Sequence, residues 1–97
     1  LLGNRMTRTV AARLGLVNKA VPSDKLDEEV QKFVDDLLAG GPNALAATKQ
    51  LLVEVPGMDV DAAFEWTSKL SAELFRGEEA KEGMQAFLSK RPPNWIK

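Results

Sequence analysis

Apolar residues recur along this chain at spacings of three and four, and glycine or proline interrupts each run. That pattern predicts short and medium helices with tight breaks. Thr9-Val10-Ala11-Ala12-Arg13-Leu14 reads as a short helix starting near Thr7, with Gly15 as its C-terminal stop. Leu16-Val17-Asn18-Lys19-Ala20-Val21 is a brief extended piece, too short to make a sheet. Pro22-Ser23-Asp24 then opens the clearest helix. Ser23 or Asp24 can cap it, and Asp27, Glu28 and Glu29 sit near its positive end. Leu26, Val30, Phe33, Leu37 and Leu38 form one apolar stripe, which Val34 widens. Gly40-Gly41 ends this helix, and Pro42 suits the first turn of the next.

Ala44 to Val55 is rich in alanine and leucine, with Leu45, Thr48, Leu52 and Val55 along one side. Pro56-Gly57 breaks it. Asp59 or Asp61 can cap a fourth helix that runs to about Phe75, with Val60, Phe64, Thr67, Leu70, Ser71 and Leu74 near one face. Arg76-Gly77 interrupts, and Glu78-Glu79 begin a last helix carrying Met84, Phe87 and Leu88, which Pro92-Pro93 must stop. The expected class is all-α, five helices with one short extended connector. Their stripes hold more apolar surface than one small domain covers, which predicts self-association.

Composition narrows the function. Ninety-seven residues suit at most one small domain. Thirteen basic against fourteen acidic residues leave a net charge of −1, so no general field draws the chain to nucleic acid or an anionic membrane. Neither partner is expected. Without cysteine or histidine, thiolate chemistry, disulfides and the commonest metal ligand are missing. No metal site is expected, and a reduced cytoplasmic setting fits. No apolar run approaches the roughly 18 residues of a membrane span. The start, Leu1-Leu2-Gly3 without an initiator methionine, suggests a piece of a longer protein.

Three kinds of chemistry are then weighed. Glu28-Glu29, Glu78-Glu79 and Glu82 are the carboxylate groupings for acid–base work. Adjacent helical residues diverge by about 100°, and acidic residues are ordinary at helix starts, so solvated charges are the expectation. No catalytic residue is assigned. Thr7 to Val17 has the alanines and Leu-Gly turn of a helix-turn-helix, but Pro22 falls where a recognition helix needs its middle. The helix that follows opens on acidic residues, which phosphates repel. In the tail, Phe87 by itself reads as core, and Lys90, Arg91 and Lys97 as a solvated terminus. Phe87 and Lys90 are three residues apart, which on one helix face pairs a ring with a cation. That pair suits a flat base and a phosphate. Trp95, after Pro92-Pro93, reads as an anchor docked on this chain or a partner.

Three ordered passages carry a family resemblance. Ala11-Ala12-Arg13-Leu14-Gly15-Leu16-Val17-Asn18-Lys19-Ala20-Val21-Pro22 is the first, and Gly41-Pro42-Asn43-Ala44-Leu45-Ala46-Ala47-Thr48-Lys49-Gln50-Leu51-Leu52 the second. Glu82-Gly83-Met84-Gln85-Ala86-Phe87, followed by Lys90-Arg91-Pro92-Pro93-Asn94-Trp95, is the third. Together they resemble the C-terminal third of the crotonase (enoyl-CoA hydratase/isomerase) family. The resemblance implies that residues 1–97 are the C-terminal helical domain of an α/β spiral fold, without its N-terminal catalytic spiral domain. It implies a parent that acts on acyl-CoA thioesters, typically by hydrating a 2-enoyl-CoA or shifting its double bond. The oxyanion-hole amides and the two catalytic glutamates of the hydratases belong to the N-terminal domain, so this chain alone should be inactive. Phe87 and Lys90 match the family residues that contact the adenine and phosphate of CoA, often on a neighbouring subunit. CoA counts here as part of the substrate, and no separate cofactor is expected. Trimers or hexamers are implied. A stand-alone helical interaction module, or another crotonase reaction such as isomerisation or dihydroxynaphthoyl-CoA synthesis, is the alternative.

Overall fold

The computed structural model describes residues 2–96; Leu1, in the abrupt start, and Lys97, in the basic tail, lie outside the described residues. Among the described residues five α-helices follow one another: α1 (Arg8–Arg13), α2 (Leu26–Ala39), α3 (Pro42–Glu54), α4 (Val60–Arg76) and α5 (Glu78–Leu88). Among the described residues there is no strand. The all-α expectation and the helix order are borne out. The chain divides into two compact units, Leu1–Val34 and Asp35–Lys97, with the division inside α2.

In the first unit, α1 is capped at both ends by residues legible in the sequence. The Val10 N–H donates to Thr7 Oγ1 at 3.3 Å. Gly15 takes a left-handed conformation (φ 78°), which lets the Leu16 N–H reach Ala11 O at 2.9 Å and the Gly15 N–H reach Ala12 O at 3.1 Å. This is a Schellman turn, and glycine suits its left-handed position because it has no Cβ to clash. The connector bends over residues 16–18. No helix restarts until Ser23, so the spacing of a helix-turn-helix is not met.

The entry to α2 corrects one expectation. Neither Ser23 nor Asp24 caps it with a side chain. Pro22 instead leads into a single 3₁₀ turn, Ser23–Lys25, that runs directly into the helix. Its backbone bond, Lys25 N–H to Pro22 O at 3.0 Å, does what a cap would otherwise do. A surface ion network follows. Lys19 pairs with Glu29, and Lys32 reaches Glu29 at 2.8 Å and Glu28 at 2.9 Å. Hydrogen bonds from Lys19 and then Lys32 hold the Glu29 carboxyl down at about 2. The apolar stripe of α2 is as foreseen, but uncovered: Leu26, Val30, Phe33, Val34, Leu37 and Leu38 are all exposed.

The second unit packs α3 on α4 and α4 on α5. Among the described residues, only Ala47 and Ala86 are buried. Both are alanines, whose small side chains let neighbouring helix backbones approach one another. The expected side of α3 is only partly turned inward: Leu45 and Val55 are half-buried. Ala47 is buried and Leu51 half-buried, while Thr48 and Leu52 are exposed. A helix that is apolar nearly all round has no unique face in its sequence, so its partner selects one. Asp59 caps α4 as foreseen, its Oδ1 accepting from the Ala62 N–H at 2.9 Å. Thr67, Leu70 and Leu74 turn inward to part-buried positions, whereas Val60 and Phe64 stay in solvent.

Candidate functional site at the end of the last helix

The site is built on α5, so what fixes α5 comes first. Gly41 is the N-cap residue of α3 and offers no side-chain oxygen to the free N–H groups beyond it. Glu79, from the first turn of α5, supplies both. Its Oε2 accepts from the Asn43 N–H and its Oε1 from the Ala44 N–H, each at 2.9 Å. A Cβ on Gly41 would run into that carboxylate, so a larger residue there would have to displace it. One carboxylate therefore caps α3 from a distance and ties α5 to it. Glu79 was read as a solvated helix-start charge, and that reading is corrected. The sequence signal was available: Gly40-Gly41-Pro42 starts a helix with no capping residue of its own.

Glu82, one turn further on, is the second correction. Its carboxylate takes both arms of the Arg91 guanidinium, Nη1 at 2.7 Å and Nη2 at 2.9 Å, and also the Asn94 N–H at 2.8 Å. The Arg91 fork, with the Asn94 N–H second, holds the Glu82 carboxyl at about 2. Arg91 is accordingly raised, chiefly by the same bond. Beyond it Trp95 settles on this chain. Its Nε1–H donates to Ala39 O at 3.2 Å, and its ring lies so near α5 that a Cβ on Gly83 would meet Cη2 at 3.3 Å. The anchor foreseen at Trp95 is thus a contact within the second unit.

Between these clamps the helix ends. The Arg91 N–H donates to Ala86 O at 3.0 Å and the Lys90 N–H to Phe87 O at 3.1 Å. This is a second Schellman turn, with Lys90 in the left-handed position at φ 51°. Helix α5 stops at Leu88, ahead of the prolines that were expected to stop it. Pro92 acts one step back, by biasing Arg91 away from helical conformation. Phe87 and Lys90 therefore do not share a helix face. Phe87 stands on the last turn of α5, 83% exposed, and Lys90 projects from the turn beyond it. The two are joined through the backbone bond rather than by helical register. Among the described residues, no carboxylate pairs with Lys90, whereas Arg91 is engaged by Glu82. Among the described residues, Lys90 is thus the cation after Phe87 that no carboxylate engages.

A groove of about 680 Å³ runs between α3, α4 and α5, lined mainly by apolar groups such as Ala47, Leu51, Leu70, Leu74, Met84 and Trp95. It contains neither Phe87 nor Lys90. Among the described residues no cluster of metal-ligating side chains occurs, and no helix is long and apolar enough to cross a membrane.

Comparison with known proteins gives this geometry its context. Residues 1–97 match the family described as Enoyl-CoA hydratase/isomerase. A crotonyl-CoA hydratase from Syntrophomonas wolfei is 37% identical over 86 residues, covering 89% of this chain and 33% of that protein. A carnitinyl-CoA dehydratase from Salmonella typhi is 31% identical over 99 residues, covering 98% of this chain and 38% of that one. The crystal structure of an enoyl-CoA hydratase/isomerase from Marinobacter aquaeolei superposes with a TM-score of 0.92 at 31% identity, over 99% of this chain and 37% of that one. The chain spans about 38% of the length of the first curated relatives it matches. With the match running along the whole chain and the helices superposing on a crotonase fold, the chain belongs to the enoyl-CoA hydratase/isomerase family.

Proposed function

We propose that this chain is the helical C-terminal part of an enzyme acting on acyl-CoA thioesters, and that Phe87 and Lys90 bind the CoA portion of the substrate. One observation carries the reading. In a chain of this family, a phenylalanine that is 83% exposed stands on the last turn of the last helix, and a lysine with no carboxylate partner among the described residues follows in the turn beyond it. Exposing a phenylalanine in water has no local benefit, and a ring with a neighbouring cation suits an adenine and a phosphate. One similar protein is a hydratase and another a dehydratase, both named for CoA thioesters. Those are two directions of one reaction, in which water adds across a carbon–carbon double bond or is eliminated to form one. Water addition to a 2-enoyl-CoA is accordingly the proposed chemistry of the whole enzyme.

The chain contributes binding rather than catalysis. Its carboxylates at Glu28, Glu29, Glu79 and Glu82 are committed to lysines, an arginine or backbone N–H groups. The oxyanion amides and catalytic glutamates would lie in the remaining, spiral part of the enzyme, and residues 1–97 alone would be inactive. The uncovered stripes of α2 and α4 favour subunit assembly as the chain's second role, in a homo-oligomer working in the cytoplasm.

The test is calorimetric titration of CoA into the natural polypeptide that carries these residues. Phe87→Ala and Lys90→Ala should each weaken binding roughly tenfold, the scale of a lost stacked ring or charge-assisted bond. Unchanged affinity in both variants would leave the tail with a structural role only.

A further inference from the structure

Lys90 occupies a position that the same chain fills with glycine elsewhere. Both Schellman turns have the same two backbone bonds, yet the left-handed residue is Gly15 in one and Lys90 in the other. A side chain there is disfavoured, because its Cβ crowds the following carbonyl oxygen. Such a conformation persists where the surroundings over-determine it, and such residues cluster at ligand clamps. The surroundings here are specific. Glu82 grips the residue directly after Lys90 through a two-armed ion pair and, through the Asn94 N–H, the chain four positions on.

We propose that Glu82 is a positioning residue for phosphate recognition. By holding Arg91 and the Asn94 N–H, it fixes the turn that presents Lys90 and keeps the Arg91 guanidinium from competing for the same anion. The inference rests on the CoA reading of Phe87 and Lys90. It assigns to Glu82 and Arg91 a role in selectivity: a phosphate monoester on the adenine nucleotide meets one cation in one place, rather than two mobile ones. Without the clamp, the neighbouring charges would attract any polyanion loosely and lose the distinction between CoA and its dephosphorylated form.

The experiment measures affinity for CoA and for dephospho-CoA in the natural polypeptide and takes their ratio. Lys90→Ala should lower the preference for CoA roughly tenfold, the value of one charge-assisted bond. Glu82→Gln, which keeps an acceptor for Asn94 but loses the ion pair, should lower it comparably. The exchanged pair Glu82→Arg with Arg91→Glu should restore part of it. A Glu82 that merely stabilised the helix would weaken both ligands equally and leave the ratio alone. If Lys90→Ala loses the preference and Glu82→Gln keeps it, the positioning role is overturned and the CoA reading stands. If Lys90→Ala keeps it, Lys90 does not read the phosphate monoester and the proposal is overturned, whereas the CoA reading of Lys90 falls only if its affinity for CoA is unchanged as well. Should Glu82→Gln fail to fold, Arg91→Gln removes the same pair from its more exposed end, and a retained preference there overturns the proposal equally.

Discussion

Lys90 shows how a single residue can be set against its own backbone. Glycine at this position would relieve the left-handed conformation, so Lys90→Gly should raise stability by up to about 1 kcal/mol while it weakens CoA binding. Thermal unfolding and titration on the same preparation would show the two effects moving in opposite directions. Glu82 gives a pH dependence with a definite sign. Its carboxyl sits at about 2 in the folded chain against an ordinary 4.5. Its contribution is therefore complete above about 4.5 and is lost as pH falls through about 2. An acid titration of helicity should show this loss, and Glu82→Gln should flatten that part of the curve. Glu29 is held low in the same way, so a second slope should remain in that variant.

At the level of elements, the second unit is tied together by carboxylates as much as by apolar packing. Glu79 satisfies two N–H groups of a helix that cannot cap itself, so Glu79→Ala should cost about 1–2 kcal/mol, the value of a lost cap. Urea unfolding would measure it as a lowered midpoint with an unchanged slope. Capping at Thr7, Gly15 and Asp59 was legible, because each partner lies within a turn of its donor or acceptor. At Gly41 the sequence shows only that a local cap is missing; which residue supplies it is not legible, because Glu79 is 35 and 36 residues from the N–H groups it accepts from. The end of α5 was misplaced for a related reason. Proline announces that a helix cannot continue, but the Schellman bonds between residues 86–91 end it sooner.

For the whole molecule, the governing fact is how little apolar surface the chain covers for itself. Phe33, Leu37, Leu52, Phe64 and Phe87 are all exposed. At roughly 25 cal/mol per Å² of apolar area, the stripes of α2 and α4 supply a driving force for association, set against roughly 4–15 kcal/mol for bringing copies together. The chain should therefore sediment as a concentration-dependent oligomer. Phe33→Glu with Leu37→Glu should shift it toward monomer, and a monomer at high concentration in the unaltered chain would refute assembly as its role.

The sequence by itself determined the helices, their order, most of their local caps and the family, because these depend on residues a few positions apart or on ordered motifs. The ring and cation at Phe87 and Lys90 were also legible as residue types. Only the tertiary structure decided how they are presented: Lys90 beyond the helix, Arg91 neutralised by Glu82, and Trp95 laid against Gly83. It likewise decided which glutamates are structural. A carboxylate's role depends on which N–H or guanidinium folding brings within about 3 Å of it, and composition and periodicity do not encode that distance.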